Sequence, residues 1–534
     1  FYWAGTTDAD WNKTAGGTNW LNSPAGTDPG SLPTFTDDVH FSATTVGGGG
    51  SAVTLSGNVA INTLNFGVGA NTGTSASIDT GANTLTIYNG ITQSATSAAN
   101  TISSSGAGGV VLAQSQTWTN NDPTDALTVS APVSGNANLT TAGVGTIILS
   151  GSNTYTGSTT VSAGTLQLGS GGTGGSLNTG SAISVASGAT FAVNQSDTVT
   201  QGTDFSNAPI SGAGSFTQAG SGTTVLNEAN TYSGGTNING GVLQVEDAGA
   251  LGTAGTIDFG GGTLKYTATN TEDYSSRIAN STSAISVDTN GQDVTYATAL
   301  AASNTGGLTK TGEGTLELTG SNLYTGNTSI DNGTFLANNA SGSATGGSTA
   351  ISVTGDAVLG GSGTVGTTGA TTTIGNGATL TGGTAGTVDE LSFTGDLVAQ
   401  SGSIWLVDLV ENSNGTTDHI NVSGNLTISG AIFTAGSFAN SHTPNNSYVI
   451  ATYGGNLTGE FDFGGAWLND TERTLDGGQY LINYGGGSNS FITLTAVPEP
   501  GTFGLLGLAL AGLAFLRFRK RRQEAAAAVD GAGE

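Results

Sequence analysis

The chain is predicted to be all-β, a right-handed parallel β-helix (β-solenoid) with a cap at each end, and three observations predict it. Gly supplies 90 of 534 residues while Asp, Glu, Lys and Arg together supply only 9%, against typical shares of about 7% and about a quarter. Apolar residues nevertheless reach 36%, in short alternating runs of Val, Ile, Leu and Ala punctuated by Gly and Asn, the pattern of strands and tight turns rather than of a disordered polar tract. The third observation is a pattern that recurs in register along the chain.

The pattern starts as Gly145-Thr-Ile-Ile-Leu, continues through Asn153-Thr-Tyr155-Thr-Gly157 and Val161, and ends at Gly164-Thr-Leu166. It returns 77 residues later with Gly222, Asn230, Tyr232, Gly234, Ile238, Gly241 and Leu243, and 92 residues beyond that with Gly314, Asn322, Tyr324, Gly326, Ile330, Gly333 and Phe335. Leu139, Phe216 and Leu308 fall in register upstream, so the clear copies lie near residues 134–168, 211–245 and 303–337. The spacing predicts three short strands per coil of about 25 residues, with Asn-x-Tyr-x-Gly as a turn in which Asn and Gly take positive φ. One coil cannot bury its inward residues alone; stacked coils can. Looser echoes such as Ala182-Ile183-Ser184-Val185, Ala284-Ile285-Ser286-Val287 and Ala350-Ile351-Ser352-Val353 extend the solenoid over residues 46–388.

An open coil is an aggregating edge and needs covering. Residues 1–45 hold Trp3, Trp11 and Trp20, half of the six tryptophans, and are expected to form the N-terminal cap. Residues 389–496 are less repetitive, carry Trp405 and Trp467, and are read as a C-terminal β subdomain. The numbering opens on Phe1-Tyr2-Trp3 without a basic and apolar leader, which is read as a mature N-terminus.

Residues 497–522 are of another kind. Val497-Pro498-Glu499-Pro500 precedes an uncharged apolar run, Gly501 to Leu516, and then the basic cluster Arg517, Arg519, Lys520, Arg521 and Arg522, with a tail at 523–534. A helix over that run is about 24 Å long, short for a ~30 Å hydrocarbon core but extendable by snorkelling arginines. The run is therefore expected to be a single transmembrane helix, its basic end cytoplasmic and the preceding body across the membrane.

Proline–acid–proline, a short apolar helix and a basic end resemble the PEP-CTERM sorting signal, and the registered pattern resembles the autotransporter-associated β-strand repeat of passenger domains. The first resemblance implies recognition of Pro498, Glu499 and Pro500 by an exosortase-type membrane transpeptidase, a stop-transfer role for the five basic residues, transient anchoring in the inner membrane, and delivery to the outer surface or extracellular matrix of a Gram-negative-type bacterium. The second implies solenoid architecture but no particular activity. An apolar segment rather than a β-barrel follows the body, so the sorting signal is expected to take the barrel's export role.

Composition and spacing exclude several functions. Residues 1–497 carry 33 acids against five bases, a net charge of −28, and such a body repels phosphate backbones, so no nucleic-acid partner is expected. His40, His419 and His442 are far apart; an Asp near either of the first two could orient an imidazole, but adjacent residues of a strand point to opposite faces. Gly361-Ser-Gly-Thr-Val-Gly366 fits a dinucleotide pattern on paper but has no following helix to bind a pyrophosphate. Asp288-Thr-Asn-Gly-Gln-Asp293 clusters oxygen ligands as a weak Ca2+ site does, yet Ala299 stands where an EF-hand needs Glu. Glu313/Glu317 and Glu246/Asp247 lack the basic cluster that a polyuronate lyase needs, since Lys13, Lys265, Arg277, Lys310 and Arg473 are dispersed. No catalytic residue, metal ligand set or cofactor is assigned. The expectation is a non-enzymatic secreted surface or matrix protein, adhesive or fibre-forming, with an exopolysaccharide or further copies of itself as partners. The alternative is a polysaccharide-active or glycan-binding β-helix, with the N-terminal tryptophans as a sugar platform.

Overall fold

The computed structural model describes residues 1–3, 9–14, 19–23, 26–41, 51–67, 75–384, 386–410, 416–439, 445–475, 478–485, 490–498, 517 and 520. The chain is an all-β parallel β-solenoid. Among the described residues the named helical element is one 3-10 turn, Ser275–Arg277. The expected transmembrane run at 501–516, the tail at 523–534 and His442 lie outside the described residues, and no described helix is long and apolar enough to cross a membrane. The chain divides into two compact units, one of Phe1–Glu317 with Asn322–Asn327 and one of Leu318–Ser321 with Thr328–Glu534.

In the first unit the strands stack as parallel ladders. One ladder runs through Asp38–Phe41, Val59–Phe66, Thr84–Gln93, Gln116–Asn120, Leu139–Ala142, Thr159–Val161 and Ile183–Val185. A second begins at Ser51–Thr54 and passes through Thr146–Leu149, Thr165–Leu168, Thr190–Val193 and Ser215–Gln218 to Ile257–Phe259. A third runs from Thr198–Thr200 through Thr223–Leu226 and Val242–Val245 to Leu308–Thr311. Inward positions stack like on like, as in Leu166↔Phe191↔Phe216, and these side chains are buried. Alternation along each strand sends Thr, Ser and Asn outward.

The strands of the repeat are grouped into coils differently from the expectation. In the first copy Leu139 pairs with Thr159 and Ile147 with Leu166, so the strands through Val161 and Leu166 belong to the next coil. The coil before it holds three strands, Val133–Gly135, Leu139–Ala142 and Thr146–Leu149, and on the third side of the next coil the Asn-x-Tyr segment lies along the first of them, with Thr154 N donating to Val133 O and Thr156 N to Gly135 O. Its Asn does not take positive φ either: Asn153, Asn230 and Asn322 are absent from the positive-φ residues. They are buried, at 2%, 2% and 5% exposure. Asn153 accepts from Val133 N (3.1 Å) and donates to Ser176 O (2.9 Å), tying the coil before to the coil after. Asn230 does the same between Ile210 N (2.7 Å) and Ala250 O (2.9 Å), and Asn322 accepts from Leu300 N (2.7 Å). The tyrosine two residues on is fully buried, and its hydroxyl meets the Thr four residues later, 2.7 Å for both Tyr155–Thr159 and Tyr232–Thr236.

Two glycine positions are required on separate grounds. Gly164, Gly241 and Gly333 have φ of 63°, 50° and 67°, a region that costs L residues strain. Gly145 and Gly222 have ordinary φ, but a Cβ there would run into the carbonyl oxygen of Asp122 or Asp197 on the preceding coil. The glycine-rich composition thus comes partly from turn conformation and partly from coil-to-coil contact.

The second unit carries parallel ladders through Thr328–Ile330, Ala350–Val353, Thr371–Ile374 and Asp396–Ala399, and through Thr334–Ala337, Val358–Gly360, Thr379–Thr381 and Ile404–Val410. A third face runs from Thr364–Val365 through Glu390–Phe393 and His419–Val422 to Ser447–Tyr453. There pairing turns antiparallel, through Phe491–Ala496, Gly478–Asn483 and Glu472–Leu475. Trp405, Phe433, Phe461 and Trp467 fill this region edge to face, with ring centroids 5.2–5.5 Å apart.

Asn230→Leu is expected to destabilise the first unit by about 3 kcal/mol, because it orphans the Ile210 N–H and Ala250 C=O inside the wall. Denaturant unfolding followed by far-UV circular dichroism checks this, and a loss within error of an outward Thr160→Val control would refute the corner role.

Candidate functional site

The last strand, Phe491–Ala496, is held on both sides, by Ser447–Tyr453 and Gly478–Asn483. Val497 N still donates to Gln479 O at 2.8 Å. Pro498 has no N–H to continue the ladder, so regular pairing stops where Pro498-Glu499-Pro500 begins. Glu499 and Pro500 lie outside the described residues, as do Arg519, Arg521 and Arg522; Arg517 and Lys520 are exposed with helical backbone.

The N-terminal tryptophans offer no sugar platform, which corrects one expectation. Trp3, Trp11 and Trp20 are 1%, 0% and 0% exposed, packed on one another and on Phe41 with centroids 4.6–6.5 Å apart. Trp20 Nε1 donates to Trp11 O (3.1 Å). They form an aromatic core.

His40 stacks on Tyr2 at 4.7 Å, and burial lowers its pKa; Asp38 is engaged instead by Asn62 and Thr63. His419 points outward and pairs through Nδ1 with Glu390 Oε2 (2.9 Å), while Nε2 lies 3.2 Å from Thr452 Oγ1. The hydrogen bond from His419 holds the Glu390 carboxyl below its ordinary range. Hydroxyl, imidazole and carboxylate stand in the order of a nucleophilic relay, yet Thr452 donates to Asn421 Oδ1 (3.0 Å) and the neighbouring backbone is committed to the strand ladder. An acyl-transfer site also needs free donors for an oxyanion; here Glu390, His419, Asn421 and Thr452 bond one another across parallel strands as a polar ladder.

In Asp288–Asp293 the carboxylates bond backbone: Asp288 accepts from Asn290 N in its own turn (2.9 Å), and Asp293 from Thr315 N at the next strand (3.2 Å). Gly361–Gly366 links two strands, with no helix after it. Glu317 accepts from Thr295 Oγ1 (3.0 Å), and Glu246 from Gln244 Nε2 (2.9 Å). Among the described residues no group of three or more His, Cys, Asp or Glu is placed to hold a metal ion.

Two buried ionisable groups escaped the sequence reading. Lys310, placed among the dispersed bases, is 0% exposed; it faces inward in register with Val287 and donates to Thr311 O (3.0 Å) and Gly312 O (2.7 Å). Burial lowers its pKa to about 8. Gln218 holds the equivalent place in the second copy and likewise donates to turn carbonyls, Gly220 O (3.0 Å) and Gly222 O (3.3 Å). The other group is the acid pair Asp408 and Asp418, each 1% exposed. Asp418 accepts from Asp408 N (2.9 Å), Asp389 N (3.2 Å) and Thr381 Oγ1 (3.3 Å). Burial raises its pKa to about 7 in spite of those bonds, and the Asp408 charge adds to the rise.

The three registered copies match the Passenger-associated-transport-repeat family at residues 139–168, 216–245 and 308–337, and residues 496–522 match the PEP-CTERM protein-sorting motif. Over 182 residues the chain is 39% identical to the Adhesin BmaC autotransporter of Brucella suis biovar 1 (strain 1330). That stretch is 32% of this chain and 5% of the relative, so the likeness reaches only a small part of that protein's length.

The Asp418 shift sets a pH dependence. Its folded pKa, about 7, lies above the ~3.9 of an unfolded Asp, so the native state binds the extra proton in between. Stability from this group is complete below about pH 4, falls as pH rises, and is gone above about pH 7. Wild type should lose on the order of 2–4 kcal/mol between those limits, whereas Asp418→Asn should flatten that loss. Parallel unfolding titrations of the two proteins test it, and equal slopes would refute it.

Proposed function

We propose that this chain is an exported, non-enzymatic, adhesin-like surface protein of a Gram-negative-type bacterium, addressed by its C-terminal signal and released or anchored by exosortase-type processing. The carrying observation is the joint between body and signal: strand pairing persists to Val497, and the residues matched to the sorting motif start at 496. A processing enzyme acting at Pro498-Glu499-Pro500 then works beyond the last hydrogen bond of the described sheet, that of Val497 N to Gln479 O. The likeness to an adhesin and the passenger repeats support the surface role.

On this reading the basic cluster from Arg517 to Arg522 stops transfer at the inner membrane and residues 501–516 span it transiently. Residues 1–45 cap the solenoid, supported by the buried tryptophan core, and residues 389–496 close it, supported by the change to antiparallel pairing. The coils wind right-handed, the hand that parallel crossovers take almost always.

Epitope tags at both ends of the full chain, expressed in a host with the processing machinery, test the proposal. The N-terminal tag should reach the surface or medium without the C-terminal tag, and Glu499→Ala should leave both tags together in the membrane fraction. A mature surface protein that keeps its C-terminal tag would overturn the processing step.

A further inference from the structure

We infer that the outer face of the first unit's first ladder, between Asn62 and Ser184, binds a neutral, extended polysaccharide chain lying across the strands; this rests on the adhesin-like reading and gives it a ligand class. The face carries two features in register. A column of hydroxyls is formed by Thr117, Thr140, Thr160 and Ser184, paired one to the next on successive coils, and Thr92 and Thr119 pair beside it. All six point outward, opposite buried neighbours such as Trp118, Leu139 and Val161. None of their hydroxyls hydrogen-bonds another described residue, in contrast with Thr159, Thr190 and Thr236, which are bonded to neighbouring hydroxyls. The second feature is an amide ladder at a bulge in the same strands. Asn89 donates to Asn62, and Gln114 donates to Asn89 Oδ1 at 2.7 Å. Next to Asn89, Tyr88 meets Phe35 with ring centroids 5.7 Å apart, and Phe35 is 56% exposed, an aromatic surface without a protein cover.

Charge and spacing select the ligand. The body carries a net −28, the outward positions named here hold no Asp, Glu, Lys or Arg, and the charge beside them, the Asp38 carboxylate, is taken up by Asn62 and Thr63, so these positions offer an acidic polymer no cation and the surrounding field opposes it. Hydroxyls on successive coils repeat at about 4.8 Å, close to the advance of one sugar in an extended β-linked chain. Each sugar can therefore exchange hydrogen bonds with one coil, while Tyr88 and Phe35 receive a ring face at the end of the run. Preformed strands hold the donors in place, so little ordering entropy is lost on binding.

Calorimetric titration of the full chain with β-1,3- and β-1,4-linked gluco-oligosaccharides, with oligogalacturonate as the charged control, tests the inference. Binding should occur with a neutral oligomer and not with the polyuronate. Thr117→Val with Thr140→Val, and separately Tyr88→Ala, should each weaken it roughly tenfold, the worth of one or two hydrogen bonds or a stacked ring. Thr128→Val and Thr165→Val, on the second ladder, should leave affinity unchanged, and circular dichroism should show all variants folded. Failure to bind any neutral oligomer, or equal affinity in the Thr117/Thr140 variant, would overturn this site. Cell-adhesion assays with the surface-displayed chain separate the outcomes: adhesion that persists without glycan binding sinks the site alone, and no adhesion at all sinks the adhesin-like reading.

Discussion

Backbone polar groups in the wall of a stacked coil must be satisfied without solvent, and the rest of the structure depends on how the corners do it. Along the strands the next coil supplies the partners. At corners the chain turns and the ladder breaks, leaving N–H and C=O groups that cost ~1–3 kcal/mol each if buried alone. Buried amide side chains fill the gap. Asn153 and Asn230 each accept an N–H from the preceding coil and donate to a carbonyl of the following one. An asparagine can do both at once because its short side chain carries an acceptor and two donors. Adjacent coils are thereby locked in register, and the buried tyrosine that follows fills the space under the corner.

The same demand explains the unusual contents of the wall. Gln218 and Lys310 occupy an inward position, and both donate to turn carbonyls. A long donor serves where a short one cannot reach; Thr141, at that position in the first copy, keeps a buried hydroxyl without a partner. In the second unit the buried acids turn the logic round, with Asp418 accepting backbone N–H groups where the chain changes strand. Polar residues buried for these reasons have their hydrogen bonds set by the fold, and burial is what perturbs the pKa values of Lys310 and Asp418.

Once corners and core are satisfied inwardly, some outward side chains form cross-strand ladders, as Glu390 and His419 do, while others, such as Thr117, Thr140 and Thr160, are left to face solvent. That division of labour suits a surface protein: the inside specifies the stack, and the outside can present hydroxyls, amides and a few aromatics in a regular array.

Much of this was legible in the chain itself. Alternation, glycine spacing and in-register copies determined the all-β solenoid and the repeat, because periodic burial leaves a periodic pattern; the PEP-CTERM segment was legible because its three parts are contiguous. Three things were decided only by tertiary structure. The grouping of strands into coils was misjudged, since whether Val161 and Leu166 share a coil with Ile147 depends on which strand lies beside which. The role of Asn153 and its equivalents was read as turn conformation, although their partners sit on coils some twenty residues away in either direction. And the sides to which Lys310, Asp418 and the N-terminal tryptophans point depend on register and packing between coils: sequence spacing sets which residues share a face, but only stacking decides whether that face meets water or the core.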